Sequence, residues 1–189
     1  MKFINNYQSP NFNFRKSGST IKYIILHYTA MKSNLEAIKH LSNSKNKVSS
    51  HFLISKLGHV YNLVKVENRA WHAGKSFWKG EKDINSNSIG IELDNSGHYL
   101  KFEKYPNIQI LSLIKLLKYL KKTYKINNFD ILGHSEIAPY RKIDPGEKFP
   151  WLKIDKINIM NSLIRLHKKE FSKIQNEYKA TSKRNIKIQ

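Results

Sequence analysis

The sequence predicts an α/β domain built on a mixed β-sheet flanked by helices, and three observations carry that expectation. Short apolar runs rich in β-branched residues are bounded by turn-forming residues, a stretch between two of them carries apolar side chains at helical spacing, and strand and helix signals alternate along the chain. At 189 residues the chain suits one domain, whose core can bury about 70% of the surface exposed by the unfolded chain.

Each element follows from local pattern. Residues 21–27, IKYIILH, form an apolar run preceded by Ser-Gly-Ser-Thr and read as a buried strand with His27 at its carboxyl end, where ligands gather in open α/β sheets. Ser33 and Glu36 stand at capping-box spacing and start a helix near residues 34–45. HFLISK and HVYNLV flank Leu57 and Gly58, so residues 51–64 read as a hairpin with glycine taking the positive φ of the turn. SIGIELD and FDILGH supply two further strands, and Ile110, Leu113, Ile114, Leu117 and Leu120 mark an amphipathic helix near 107–123. After Trp151, the series Ile157, Met160, Ile164, His167, Phe171, Ile174 and Tyr178 predicts an extra carboxyl-terminal helix, which packs back on the domain or faces a partner. The expected organisation is a domain over residues 1–152, then this helix and a polar tail over 153–189.

Composition bounds the function. No run approaches the ~20 apolar residues of a membrane helix, and the first 16 residues lack the apolar core of a secretion signal. A cytoplasmic location without a membrane span is the expectation, with periplasm or cell envelope as the alternative. The absence of cysteine excludes disulfides and leaves His, Asp and Glu as ligands for any metal. The formal charge of +20 is mostly lysine scattered through the chain, with no fold-level nucleic-acid signature beside it, so specific nucleic-acid binding is not expected. Attraction to an anionic polymer fits such a surface.

Three segments place titratable residues inside runs that would otherwise be core: IILHYTA, SIGIELDN and ILGHSEIAPYRKIDPG. A catalytic zinc takes three protein ligands and keeps a fourth position open. His27, His134 and Asp144 satisfy that count, each at a strand end or in a Gly/Pro loop. Glu92, within an apolar strand, either pairs with a lysine or faces a cavity as the base of a metal-assisted hydrolysis. Lys142 precedes Asp144 by two residues, which in extended chain puts both side chains on one side. It is either an ordinary solvated lysine or a stabiliser of an oxyanion.

LHYTA, SSHFLISKLGHVYNLV, RAWHAG, NSIGIELDN and GHSEIAPYRKIDPG, in this order over roughly residues 20–152, resemble the zinc N-acetylmuramoyl-L-alanine amidases of the AmpD/AmiD group, the amidase type 2 family. The resemblance implies the fold shared with peptidoglycan recognition proteins and hydrolysis of the bond between N-acetylmuramic acid, or its 1,6-anhydro form, and L-alanine in peptidoglycan or muropeptides. It places the Zn2+ ligands on His27, His134 and Asp144, the water-activating carboxylate on Glu92 and the transition-state-stabilising lysine on Lys142. His72, within AWHAG, matches a groove residue that contacts substrate, although its flanking Trp71 and Gly74 also suit a structural role; Tyr28 is expected to line the groove. A non-catalytic peptidoglycan-binding protein is the alternative, and an intact ligand triad separates the enzyme from such binders.

Overall fold

The computed structural model describes residues 2–155. In chain order the elements are β1 (Phe12–Phe14), β2 (Tyr23–Tyr28), α1 (Asn34–Leu41), β3 (Phe52–Ile54), β4 (Val60–Asn62), β5 (Asn68–Ala70), α2 (Ile84–Asn87), β6 (Ser88–Leu93), α3 (Asn107–Tyr124), β7 (Ile131–Gly133), α4 (His134–Ile137) and α5 (Trp151–Asp155). The central sheet has the order β4-β3-β6-β2-β7. Strands β3, β6, β2 and β7 run parallel, and β4 closes one edge antiparallel to β3. The sheet is therefore mixed and flanked by helices, as expected. The helix expected from Ile157 to Tyr178, and with it the division at residue 153, lies outside the described residues.

Strand alternation decides what each face carries. Ile24 and Leu26 of β2, Ile89, Ile91 and Leu93 of β6, and Phe52 and Ile54 of β3 pack with Ile110, Leu113, Leu116, Leu117 and Leu120 of α3 in one buried cluster. Because successive side chains on a strand point to opposite faces, the intervening residues belong to the other side of the sheet. There Tyr23, Ile25 and Leu132 pack with Ala73, Ile84 and Ile137, and Leu53 packs with Ala37, Ile38 and Leu41 of α1. His27, Ser88, Gly90 and Glu92 share the parity of this second face.

The local signals are realised with small adjustments. Ser33 Oγ accepts from Glu36 N at 3.2 Å, while the Glu36 carboxylate accepts from Lys32 N at 3.1 Å, one residue before the usual partner of a capping box. Helix α1 stops at Leu41 rather than near 45, because Asn43 Oδ1 accepts from Lys45 N at 3.0 Å and starts a separate 3₁₀ turn, Ser44–Asn46. Gly58 takes φ +80° between β3 and β4. The two-stranded sheet of β1 and β5 was not expected: FNF is exposed throughout and has no buried face to reveal it. Arg15 next to it donates to the carbonyls of Val66, Asn85, Ser86 and Ser88 at 2.8–3.0 Å, so a half-buried cation ties this sheet to the start of β6.

Candidate metal centre

The parallel strands deliver the site. β2 lies between β6 and β7, with His27 in register with Glu92 and Leu26 in register with Gly133, the residue before His134. All three residues thus emerge near the carboxyl ends of adjacent parallel strands, the edge where α/β sheets bind ligands. Gly133 N donates to Glu136 Oε2 at 2.5 Å, which fixes the short turn of α4 that His134 begins. Ser135 N donates to Asp144 O at 2.9 Å and brings the 144 loop over that turn. A Cβ on Gly133 would stand 2.8 Å from Pro145 Cδ, so the close approach of this loop requires glycine.

Three atoms converge there. His27 Nδ1 and His134 Nδ1 are 2.9 Å apart, and each is 3.1 Å from Asp144 Oδ2. The rest of the hydrogen-bond network assigns the ring protons. His134 Nε2 lies 3.1 Å from the Ala73 carbonyl, closer than the 3.4 Å to Arg141 Nη2, and donates to that carbonyl, leaving Nδ1 bare. His27 Nε2 lies 3.0 Å from His72 Nδ1, and His72 Nε2 lies 3.2 Å from Ser88 Oγ, whose own hydrogen goes to Ile84 O at 2.6 Å. Ser88 therefore accepts from His72 Nε2–H, and His72 Nδ1 accepts from His27 Nε2–H. Two bare imidazole nitrogens and a carboxylate oxygen then face one point, an arrangement able to hold a cation at its centre. A tetrahedral ion with bonds of about 2.0–2.1 Å spaces its ligand atoms roughly 3.3 Å apart, close to the observed separations. His27, His134 and Asp144, all buried, thus form a group able to hold a metal ion.

Electrostatics agree with that assignment. Burial, followed by the neighbouring His134, lowers His27 to about 4 against the opposing pull of Asp144, so the ring is neutral at pH 7. Burial alone would raise Asp144, but its contacts with His134 and His27 outweigh it and hold the carboxyl well below the usual range. Glu92 behaves oppositely: burial, with Asp144's charge adding and Lys142's opposing, pushes its carboxyl from 4.5 up to about 8. Its Oε2 is buried without a hydrogen-bond partner, so the lysine pairing is not what accounts for this carboxylate.

Around the triad opens a cavity of about 250 Å³ whose wall includes Glu92, Lys142, Tyr28 and Arg141. Lys142 and Asp144 do share it, although the chain before them is turned rather than extended: Arg141 N and Lys142 N both donate to Ala138 O, at 3.1 and 3.0 Å. Tyr28 lines the cavity with its hydroxyl 2.9 Å from His98 Nδ1, and His98 Nε2 is 2.9 Å from Glu147. Burial, then Asp144's charge, raises the phenol to about 12, so it stays protonated. His72 is only 6% exposed, and both of its ring nitrogens are engaged by His27 and Ser88. Sequence reasoning missed Arg141, whose Nε donates to Lys75 O at 2.8 Å, although it lies inside the quoted APYRKIDPG segment. It also missed His98, Glu147 and Ser88, which carry no signal in the sequence because distant segments bring them together.

Residues 17–147 match the family described as N-acetylmuramoyl-L-alanine amidase. The chain belongs to this amidase family. Among relatives, N-acetylmuramoyl-L-alanine amidase AmiD of Escherichia coli is 38% identical over 145 residues, which make up 69% of this chain and 51% of AmiD. The 1,6-anhydro-N-acetylmuramyl-L-alanine amidase AmpD of Haemophilus influenzae is 33% identical over 162 residues, 76% of this chain and 86% of AmpD. The chain thus spans about half the length of AmiD and most of AmpD. The solved structure of E. coli AmiD with the substrate anhydro-N-acetylmuramic acid-L-Ala-D-γ-Glu-L-Lys superimposes with a TM-score of 0.68 at 33% identity, covering 77% of this chain and 61% of that one. The expected amidase type 2 fold is therefore the one present, and no helix among the described residues is long and apolar enough to cross a membrane.

Proposed function

We propose that this member of the family is a zinc-dependent amidase that hydrolyses the amide between N-acetylmuramic acid, or its 1,6-anhydro form, and L-alanine in peptidoglycan fragments or intact peptidoglycan. The observation that carries this reading is the convergence of three proton-free donor atoms beside an unpartnered carboxylate in one cavity. The names of AmiD and AmpD, and the substrate bound by AmiD, support the choice of amide bond. The intact His27, His134 and Asp144 set favours an enzyme over a non-catalytic peptidoglycan binder.

His27 and His134 through Nδ1, and Asp144 through Oδ2, would hold the ion. Two imidazoles and a carboxylate suit zinc, which when bound supplies Lewis acidity, polarising a carbonyl and lowering the pKa of a water to about 7. Glu92 takes the proton from the attacking water. A carboxyl whose proton affinity is raised by burial serves as that base, and then as the acid that returns the proton to the departing L-alanine nitrogen. The new C–O bond forms first, placing negative charge on the former carbonyl oxygen; as that charge collapses back the C–N bond breaks and the nitrogen takes the proton from Glu92, giving the muramic-acid carboxylate and a peptide with a free amine. Lys142 places its ammonium in the same cavity, where it would counter the negative charge that grows on the carbonyl oxygen. Tyr28, kept as a phenol, forms part of the wall against which the substrate lies.

Mass spectrometry of a defined N-acetylmuramoyl peptide and its anhydro counterpart, with and without a chelator, tests the reading. Release of the intact peptide with a free L-alanine amine, abolished by chelation and restored by zinc, is expected. Zinc-loaded protein that binds either substrate and cuts neither would identify a binding protein instead.

A further inference from the structure

His72 forms part of the cavity wall, yet it is buried and both of its ring nitrogens are engaged by protein groups. Its Nδ1 faces His27 Nε2 at 3.0 Å and its Nε2 faces Ser88 Oγ at 3.2 Å. The direction of this chain is fixed at its far end. Ser88 has one hydroxyl hydrogen, and Ile84 O lies 2.6 Å from Oγ, a separation tolerable only with that hydrogen between them. Each bond upstream then has one polarity, and it ends with His27 carrying its proton on Nε2.

The ring is also held in space. His72 N and Ala73 N both donate to Asn85 Oδ1, at 3.1 and 2.7 Å. On β6, a Cβ at Gly90 would stand 2.4 Å from His72 Cγ, so the ring occupies room that only glycine leaves. The imidazoles of His72 and His27 meet edge-on, with centroids 5.2 Å apart and planes at 77°. The next residue, Ala73, offers its carbonyl to His134 Nε2 at 3.1 Å. One two-residue segment, clamped by Asn85, therefore supports both ligand histidines from behind.

We propose that His72 is a positioning residue rather than a substrate contact: by accepting from His27 Nε2–H it fixes the tautomer and ring angle that aim His27 Nδ1 at the metal position. This rests on the metal reading above. Groups that orient ligating histidines in this way are worth about 10–100-fold in metal affinity or activity.

Zinc affinity, measured by competition with a chelator, is the primary readout on metal-stripped full-length protein. His72→Phe, which keeps an aromatic ring and removes both nitrogens, should weaken zinc binding about 10–100-fold while circular dichroism stays that of the wild type. His72→Asn, whose amide oxygen falls near the place of Nδ1, should recover most of the loss. A purely structural role would not be rescued in this way. Unchanged zinc affinity in His72→Phe together with a raised KM would overturn the inference and restore His72 as a substrate contact. Wild-type protein that binds no zinc would overturn the metal reading itself, a separate outcome. If His72→Phe does not fold, long-range ¹H–¹⁵N spectra of the zinc-loaded wild type decide: the proton on Nε2 of both His27 and His72 is expected, and an Nδ1–H tautomer of His72 sinks the proposal.

Discussion

Glu92→Gln isolates the group through which both proton transfers are proposed to pass. In the folded chain burial raises its carboxyl to about 8 from 4.5, the value also appropriate to the unfolded chain. Between those limits the folded state holds a proton that the unfolded state has released, so stability falls as pH rises. The contribution is whole below about 4.5 and lost by the time pH passes about 8. At about 1.4 kcal/mol for each pH unit of that window, the penalty reaches at most about 5 kcal/mol. Glutamine keeps the shape and cannot ionise. Urea denaturation of the metal-free proteins at pH 5 and pH 8 should therefore show Glu92→Gln near wild type at the lower pH and about 2–5 kcal/mol more stable at the higher. Zinc should narrow the gap, since a nearby dication favours the carboxylate. With zinc bound, kcat should drop about 10²–10⁴-fold. A stability difference that is the same at both pH values would refute the burial argument, and near-normal turnover with zinc in place would refute the role.

Lys142→Ala should lower kcat about 10²–10³-fold with KM changed only a few-fold in steady-state assays; a raised KM with intact kcat would make it a ground-state contact. Zinc at about a thousand times its Kd should stabilise the protein by about 4 kcal/mol in thermal or urea unfolding, and Asp144→Asn should remove most of that gain. Gly90→Ala drives a Cβ to 2.4 Å from His72 Cγ, and should cost about 1–3 kcal/mol in chemical denaturation and weaken zinc binding in the same chelator competition. Leu113→Ala, in the fully buried contact of α3 with the sheet, should cost about 2–5 kcal/mol while leaving zinc affinity unchanged.

What the sequence made legible follows from where the physics is local. Strand β2, the β3–β4 hairpin, β6, α3 and β7 each carry their own periodicity or turn residue, and all of them form where expected. Those same strands supply His27 and Glu92 and lead directly into His134, so a polar residue interrupting an apolar run was enough to find the site. Strands β1 and β5 escaped because their antiparallel pairing, Phe12 with Ala70 to Phe14 with Asn68, joins two three-residue segments more than 50 positions apart, and β1 has no buried face. Tyr28 was placed in the cavity wall, but its partners His98 and Glu147 lie 70 and 119 positions downstream and were silent in the sequence.

Histidine shows the limit most sharply. His27, His51, His72 and His134 form a buried succession of edge-on rings, with centroids 4.4 Å apart from His134 to His27, 5.2 Å from His27 to His72 and 5.6 Å from His72 to His51. In the sequence they are four among eight alike. What separates ligand from support is the destination of each N–H. His51 Nδ1 accepts from Gly90 N at 2.9 Å and its Nε2 lies 3.1 Å from Asn68 O, so both nitrogens are consumed by the backbone. Burial, then the neighbouring Arg15, lowers that ring to about 3 and keeps it neutral. His72 spends its two nitrogens on Ser88 and His27. Among these four, only His27 and His134 have an Nδ1 to which no protein group donates, and only they lie against Asp144. A metal ligand in this fold is thus the histidine whose outer nitrogen has been satisfied by something else. That distinction lives in hydrogen bonds between segments and not in the spacing of residues along the chain.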